Sequence, residues 1–182
     1  MKRITTLMTL ATSAALLCAG GAASLASAQT APAKTVPANA QEEAPEALLG
    51  AWQADVAVSR YTGTPPRSNI RTFSYTDEGK LLVTSLTVNA QGRVSLLHWA
   101  VTLDGTPGKE FTQVSRSTPA SLVSLKKLND KNLEMTVYKY GHVDLTGGYR
   151  LSDDGQTLTY TYGPPGGPQN NIVYRRLDAD AR

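Results

Sequence analysis

Two histidines, His98 and His142, one cysteine, Cys18, and a scatter of serines are the groups from which this chain could build a base, a metal site or a nucleophile. A metal site needs three or four ligands with supporting partners, and no His-x-His or His-x-x-x-His spacing occurs. His142 and Asp144 share a strand face, because residues two apart point the same way. Solvation at a strand edge accounts for that pair. Ser95 and His98 fall on opposite faces of one strand, and no Gly-x-Ser-x-Gly elbow is present. Gly147-Gly148 and the run Gly163-Pro164-Pro165-Gly166-Gly167-Pro168 precede no helix, so neither reads as a phosphate cradle. The expectation is no catalytic residue, no metal and no cofactor. Tyrosines carry more weight. Tyr75, Tyr138, Tyr140, Tyr149, Tyr160, Tyr162 and Tyr174 all fall in extended segments. An apolar ring with a polar tip suits a pocket wall that must both bury and orient a ligand.

The elements that must position these residues are strands. From Leu48 onward, short runs of alternating apolar and polar residues are separated by turn signals at steady spacing, the pattern of an all-β sandwich or barrel. Ten strands are expected, over about 50–58, 69–77, 80–89, 93–104, 109–115, 121–128, 132–140, 143–151, 156–163 and 170–177. Asp77-Glu78-Gly79, Asn89-Ala90-Gln91-Gly92, Asp104-Gly105, Asn129-Asp130, Tyr140-Gly141 and Asp153-Asp154-Gly155 supply turns that tolerate positive φ, so consecutive strands should be antiparallel neighbours. One apolar face per strand over about eight to ten strands favours closure, which removes exposed edges. The predicted fold is therefore all-β: a single antiparallel up-and-down β-barrel. Leu97, Trp99, Met135, Tyr160 and Tyr162 are the candidate ligand-binding residues, chosen by strand parity. A one-residue register slip would invert that choice.

The first 28 residues read as an address. A basic start (Lys2, Arg3), an apolar stretch around Leu7–Cys18, and a small-x-small site at Ala26-Ser27-Ala28 follow the order of a signal peptide. The apolar stretch is short for a membrane span, which needs about 20 residues. Cleavage after Ala28 would leave a chain without cysteine, exported to the periplasm or the medium, with no stable membrane insertion. Lys2 and Arg3 depart with the signal and no acidic residue does, so the formal charge of +3 shrinks and leaves no footprint for nucleic acid. Residues 29–46, rich in Ala, Pro and Gln, cannot bury enough surface to offset their ordering entropy and read as a flexible linker. The barrel is expected over 47–178, with 179–182 as a disordered tail.

Leu48-Leu49-Gly50-Ala51-Trp52 opens the first strand, and Val173-Tyr174-Arg175-Arg176 lies in the last. A Gly-x-Trp on the first strand with an arginine on the last resembles the lipocalins and the wider calycin barrels. The chain also resembles a group of short exported bacterial proteins, through Ser59-Arg60-Tyr61, Pro65-Pro66, Asp104-Gly105, Asp154-Gly155, and Asn170 with Tyr174. The resemblance implies a plug at one end of the barrel, with Trp52 beneath a guanidinium from Arg175 or Arg176, and Gly50 beside it. It also implies a small hydrophobic or amphipathic ligand in the interior. The alternative is a protein-interaction or inhibitor-type domain with a filled core, acting through loops 62–68 and 163–169. A third reading is a calycin-type enzyme using Tyr, Arg and His in its cavity.

Overall fold

The structure, a computed structural model, describes residues 43–112 and 121–177. The expected signal peptide, most of the linker, the end of the fifth strand and the C-terminal tail lie outside the described residues. A single 3-10 turn, Glu46–Leu48, leads into ten strands: β1 (Gly50–Ala54), β2 (Ser68–Tyr75), β3 (Leu81–Val88), β4 (Val94–Val101), β5 (Gly108–Thr112), β6 (Leu122–Asn129), β7 (Asn132–Lys139), β8 (His142–Leu151), β9 (Thr157–Gly163) and β10 (Asn170–Arg176). Each strand pairs antiparallel with its sequence neighbours, and β1 pairs with both β2 and β10. The result is a closed, up-and-down, all-β barrel with almost no helix, and it fits a lipocalin-like architecture.

Turn chemistry sets the register. At Tyr140-Gly141 both residues have positive φ, 52° and 81°, the backbone twist that a two-residue hairpin needs. Asn89 and Asp154 use their side-chain oxygens to accept backbone N–H groups two residues on, at 3.0 Å each, which closes the β3–β4 and β8–β9 turns locally. The first strand is shorter than the alternation suggested. After Ala54 the chain bends away, and Ser59 fastens the bend: its Oγ donates to Asp55 O at 2.6 Å and accepts from the Val173 N–H at 2.9 Å. The stretch ahead of β1, which composition placed in the linker, packs on the barrel through Ala44. This residue is buried, and its N–H donates to Tyr75 Oη at 2.6 Å.

The interior changes character along the barrel axis. The end nearer Trp52 is filled by Trp52, Phe73, Leu81, Val83, Val101, Leu103, Leu125, Leu133 and Leu158, all buried. That oily stack is the hydrophobic core, with its stabilisation proportional to the apolar area removed from water. Towards the other end the inward positions carry Asn69, Arg71, Ser85, Tyr149, Tyr160 and Tyr174 instead.

Candidate functional site

The closed end explains the Gly-x-Trp motif in physical terms. Trp52 and Arg176 are direct cross-strand partners, so their side chains lie on the same face. The Arg176 guanidinium sits 4.3 Å from the centroid of the Trp52 ring, a cation–π contact. Arg176 Nη1 donates to Leu49 O at 2.9 Å, and its Nη2 donates to Ala47 O. Trp52 Nε1 donates to Leu48 O at 2.9 Å. Gly50 has φ +111°, and a Cβ there would sit 3.3 Å from Arg176 Nη1, so both backbone conformation and space favour glycine. Of the two candidate arginines, Arg175 is not part of the plug. It has the opposite parity, points outward, and its Nε donates to Asp55 Oδ2 at 2.9 Å. That hydrogen bond holds the Asp55 carboxyl below its ordinary pKa.

The other end is open. A cavity of about 630 Å³ enters the barrel there. All five candidate ligand-binding residues, Leu97, Trp99, Met135, Tyr160 and Tyr162, line it. They meet because each lies on the inward parity of its own strand, and cross-strand registers bring those parities together: Met135 faces Leu125 and Gly147, and Tyr160 faces Tyr149 and Ile172. Tyr149, Tyr160 and Tyr162 form a continuous stack, with centroids 4.6 Å and 4.8 Å apart. Tyr75, Tyr138 and Tyr140 do not line the cavity. The loop after β1 supplies part of the rim through Tyr61, Thr62, Gly63, Thr64 and Pro66. It is tied to β10 by the Thr62 N–H donating to Asn170 Oδ1 at 2.9 Å, and by a backbone bridge between Arg60 and Asn171. Asp144 reaches the cavity because one extra residue in β8 breaks its register with β7: Val137 pairs with Leu145, but Tyr138 pairs with Val143.

The residue that parity arguments missed is Arg71. It is only 6% exposed and stands in the middle of the barrel. Its guanidinium lies 4.2 Å from the Tyr160 ring centroid and within 6 Å of the rings of Tyr149, Tyr174 and Trp99. Nη1 donates to Tyr149 Oη at 2.5 Å, and Nη2 reaches Ser85 Oγ at 3.4 Å. Asn69 continues the network, donating to Ser85 Oγ at 3.0 Å and accepting from the Tyr174 hydroxyl. Among the described residues no carboxylate lies within ion-pair distance of Arg71. Burial disfavours the charge on Arg71, but the surrounding phenol oxygens more than offset this and raise its pKa, so the group stays cationic. A signal for Arg71 was present in the hairpin. Pairing Phe73 with Val83 through the Asp77-Glu78-Gly79 turn sets Arg71 opposite Ser85 on the inward face, against the pull of Ile70.

Three buried side-chain polar atoms among the described residues lack a hydrogen-bond partner: Tyr61 Oη, Arg71 Nε and Trp99 Nε1. All three belong to residues that line this cavity. Glu110, the cross-strand partner of Trp99, also lines it, and burial raises its carboxyl pKa. His98 lies on the outer face, stacked on Phe111 at 5.2 Å, and does not line the cavity. His142, exposed at the start of β8, does not line it either. Among the described residues no group of three His, Cys, Asp or Glu side chains comes together to hold a metal.

Burial raises the phenol pKa of Tyr149, pushes that of Tyr160 up to about 12, and raises that of Tyr174. Free tyrosine ionises near pH 10. Above that pH the unfolded chain releases protons that the folded chain retains, so folding stability is present in full below about pH 10 and falls as pH rises further. We expect alkaline unfolding to begin near that value. Phenolate absorbance from these tyrosines should then appear together with loss of the β-sheet circular dichroism signal. Their titration within a still-folded barrel would contradict the burial described here.

No protein-family model matches the chain, and no curated protein matches it in sequence.

Proposed function

We propose that the chain is an exported, lipocalin-like binding protein that holds a small amphipathic molecule inside the barrel. The observation that carries this reading is the open-ended cavity of about 630 Å³, walled by aromatic and aliphatic side chains interleaved with a comparable number of polar ones. That size is that of small-molecule sites. Close-packed interiors leave few voids larger than a water molecule, so a space of this volume stands out against ordinary core packing. The order along the axis supports the same reading. One end is plugged by Trp52 and Arg176, and the other is rimmed by the loop between β1 and β2, which is hydrogen-bonded to β10. Export to the periplasm or the medium rests on the signal-peptide pattern of residues 1–28.

Action through surface loops around a filled core is the competing reading. Loop 62–68 does lie at the mouth, but the space beneath it favours a ligand over a packed core. Native mass spectrometry of the chain purified from its host tests the choice. The expected result is a stoichiometric small-molecule adduct that is lost on denaturation. A bare chain that also takes up nothing from a total lipid extract of that host would overturn the proposal.

A further inference from the structure

We infer that the outer face of β2, β3, β4 and β5 is where a second copy of this chain docks, with its barrel running in the opposite direction. The face lies outside the cavity, so the inference does not depend on the binding reading. Arg71, Val83 and Trp99 are buried inside the barrel, and the alternate positions of their strands point out. Across β2, β3 and β4 those outward positions hold no Asp, Glu, Lys or Arg. Cross-strand pairing joins them into one patch: Ile70 to Leu86, Leu86 to Leu96, and Val88 to Val94, with Thr72 and Thr84 among them. On β5, Phe111 extends the patch, stacked on its cross-strand partner His98. Val94 is 65% exposed, Phe111 54% and Leu86 39%. Other strands carry charges or hydroxyls outward, such as Glu134 on β7, Arg175 on β10 and Thr159 on β9. Contiguous apolar surface of more than a few hundred Å² marks an interaction site.

The charges at its two ends choose the occupant. Arg67 and Arg93 stand at the mouth end, just before β2 and β4, and among the described residues neither meets a carboxylate. Asp77 and Glu78 stand at the closed end in the β2–β3 turn, and Asp104 follows β4. Lys80 and Lys109 lie beside them, with Lys80 paired to Glu78 at 2.7 Å, so that end is acidic on balance. A two-fold axis lying between two such faces and crossing their strands sets the basic end of each copy against the acidic end of the other, twice. An axis along the strands would set like against like. Facing sheets pack about 10 Å apart with interdigitating side chains, which suits an apolar centre of this kind. Four strands of this length and spacing present a face of about 500 Å². The charged ends bring it towards the roughly 800 Å² per partner of a standard interface. The wall of a barrel is convex, so the contact stays at the low end of that class and the dimer is reversible. Both mouths remain open, because the barrels lie side by side.

Sedimentation equilibrium of the purified chain from about 1 µM to about 1 mM tests this. The expected result is a monomer–dimer equilibrium with no larger species, as a closed two-fold contact demands. Leu86→Lys should weaken dimerisation at least about 10-fold, the scale of losing a central contact. Thr159→Lys, outward on β9, should leave it unchanged. Val94→Lys, at a more exposed position, repeats the test if Leu86→Lys fails to fold. Arg67→Glu should weaken the dimer too, and adding Asp77→Arg to the same chain should restore it. A monomer throughout the range would overturn the proposal and leave the face to another occupant, such as residues 29–42 of the same chain or a different protein. A dimer unmoved by Leu86→Lys and Val94→Lys, or assembly beyond a dimer, would also overturn it. A dimer weakened by Leu86→Lys but unmoved by Arg67→Glu would overturn the reversed arrangement.

Discussion

Trp52→Ala should lower folding stability by about 3–5 kcal/mol, the usual cost of truncating a fully buried aromatic. For a domain of this size that lowers Tm by roughly 10 °C or more. Trp52 is completely buried, its indole N–H is bonded to Leu48 O, and Arg176 covers its face. The truncation therefore leaves a void and strips the guanidinium of its cation–π partner, worth about 0.5–2 kcal/mol. Trp52→Phe retains most of the ring volume but loses the bond to Leu48, so it should cost less, about 1 kcal/mol beyond the small change in volume. Denaturant unfolding monitored by circular dichroism measures both. A cost below about 1 kcal/mol for Trp52→Ala would mean that the indole does not hold this end of the barrel.

Gly147→Ala should be nearly as damaging, although it adds a single methyl group. A Cβ at Gly147 would come 1.9 Å from Thr161 O and 2.8 Å from Tyr162 Cα, both backbone atoms of β9. At Gly148 it would come 2.2 Å from Leu133 O, in β7. Backbone atoms in a ladder cannot swing aside as a flexible side chain can, so β8 must pull away from its neighbour. Overpacking of this kind costs about 1–3 kcal/mol and occasionally more. Because Gly147 is opposite Tyr162 and Met135, the displacement would also disturb the tyrosine stack in the cavity wall. Gly63→Ala is the control: nothing lies within 4 Å of its Cβ, and a surface change of this sort falls within about 0.5 kcal/mol. Equal stability of Gly147→Ala and Gly63→Ala would contradict the close strand approach.

The fold was legible because its information is local. Period-two alternation and Asn, Asp and Gly turns specify strands and hairpins one at a time, and closure follows when every strand has one apolar face. The plug was legible only in part. Sequence alone left Arg175 and Arg176 open, and the choice depended on which of them shares a face with Trp52 through the β1–β10 pairing, a contact between opposite ends of the chain. Alternation found the apolar and aromatic wall because Leu97, Trp99, Met135, Tyr160 and Tyr162 follow the rule that apolar side chains face inward. Arg71 breaks that rule. Hydropathy favours Ile70 over Arg71 for the interior, yet the register with Ser85 turns the arginine inward. Residues that contradict local pattern at the heart of a fold are where function is most often written, and they are the ones that pattern reading discards. Asp144 was hidden in the same way, by the extra residue in β8 that reverses facing between Val143 and Leu145.

The barrel interior as the binding site is most directly tested by methyl NMR during titration with decanol, a neutral probe. The Met135, Leu97 and Val137 methyls, which line the cavity, should shift and saturate together. Those of Val94 and Leu128, both exposed, should hold still. Movement confined to the exposed methyls, with the cavity set unmoved, would place binding on the outer surface and contradict the account.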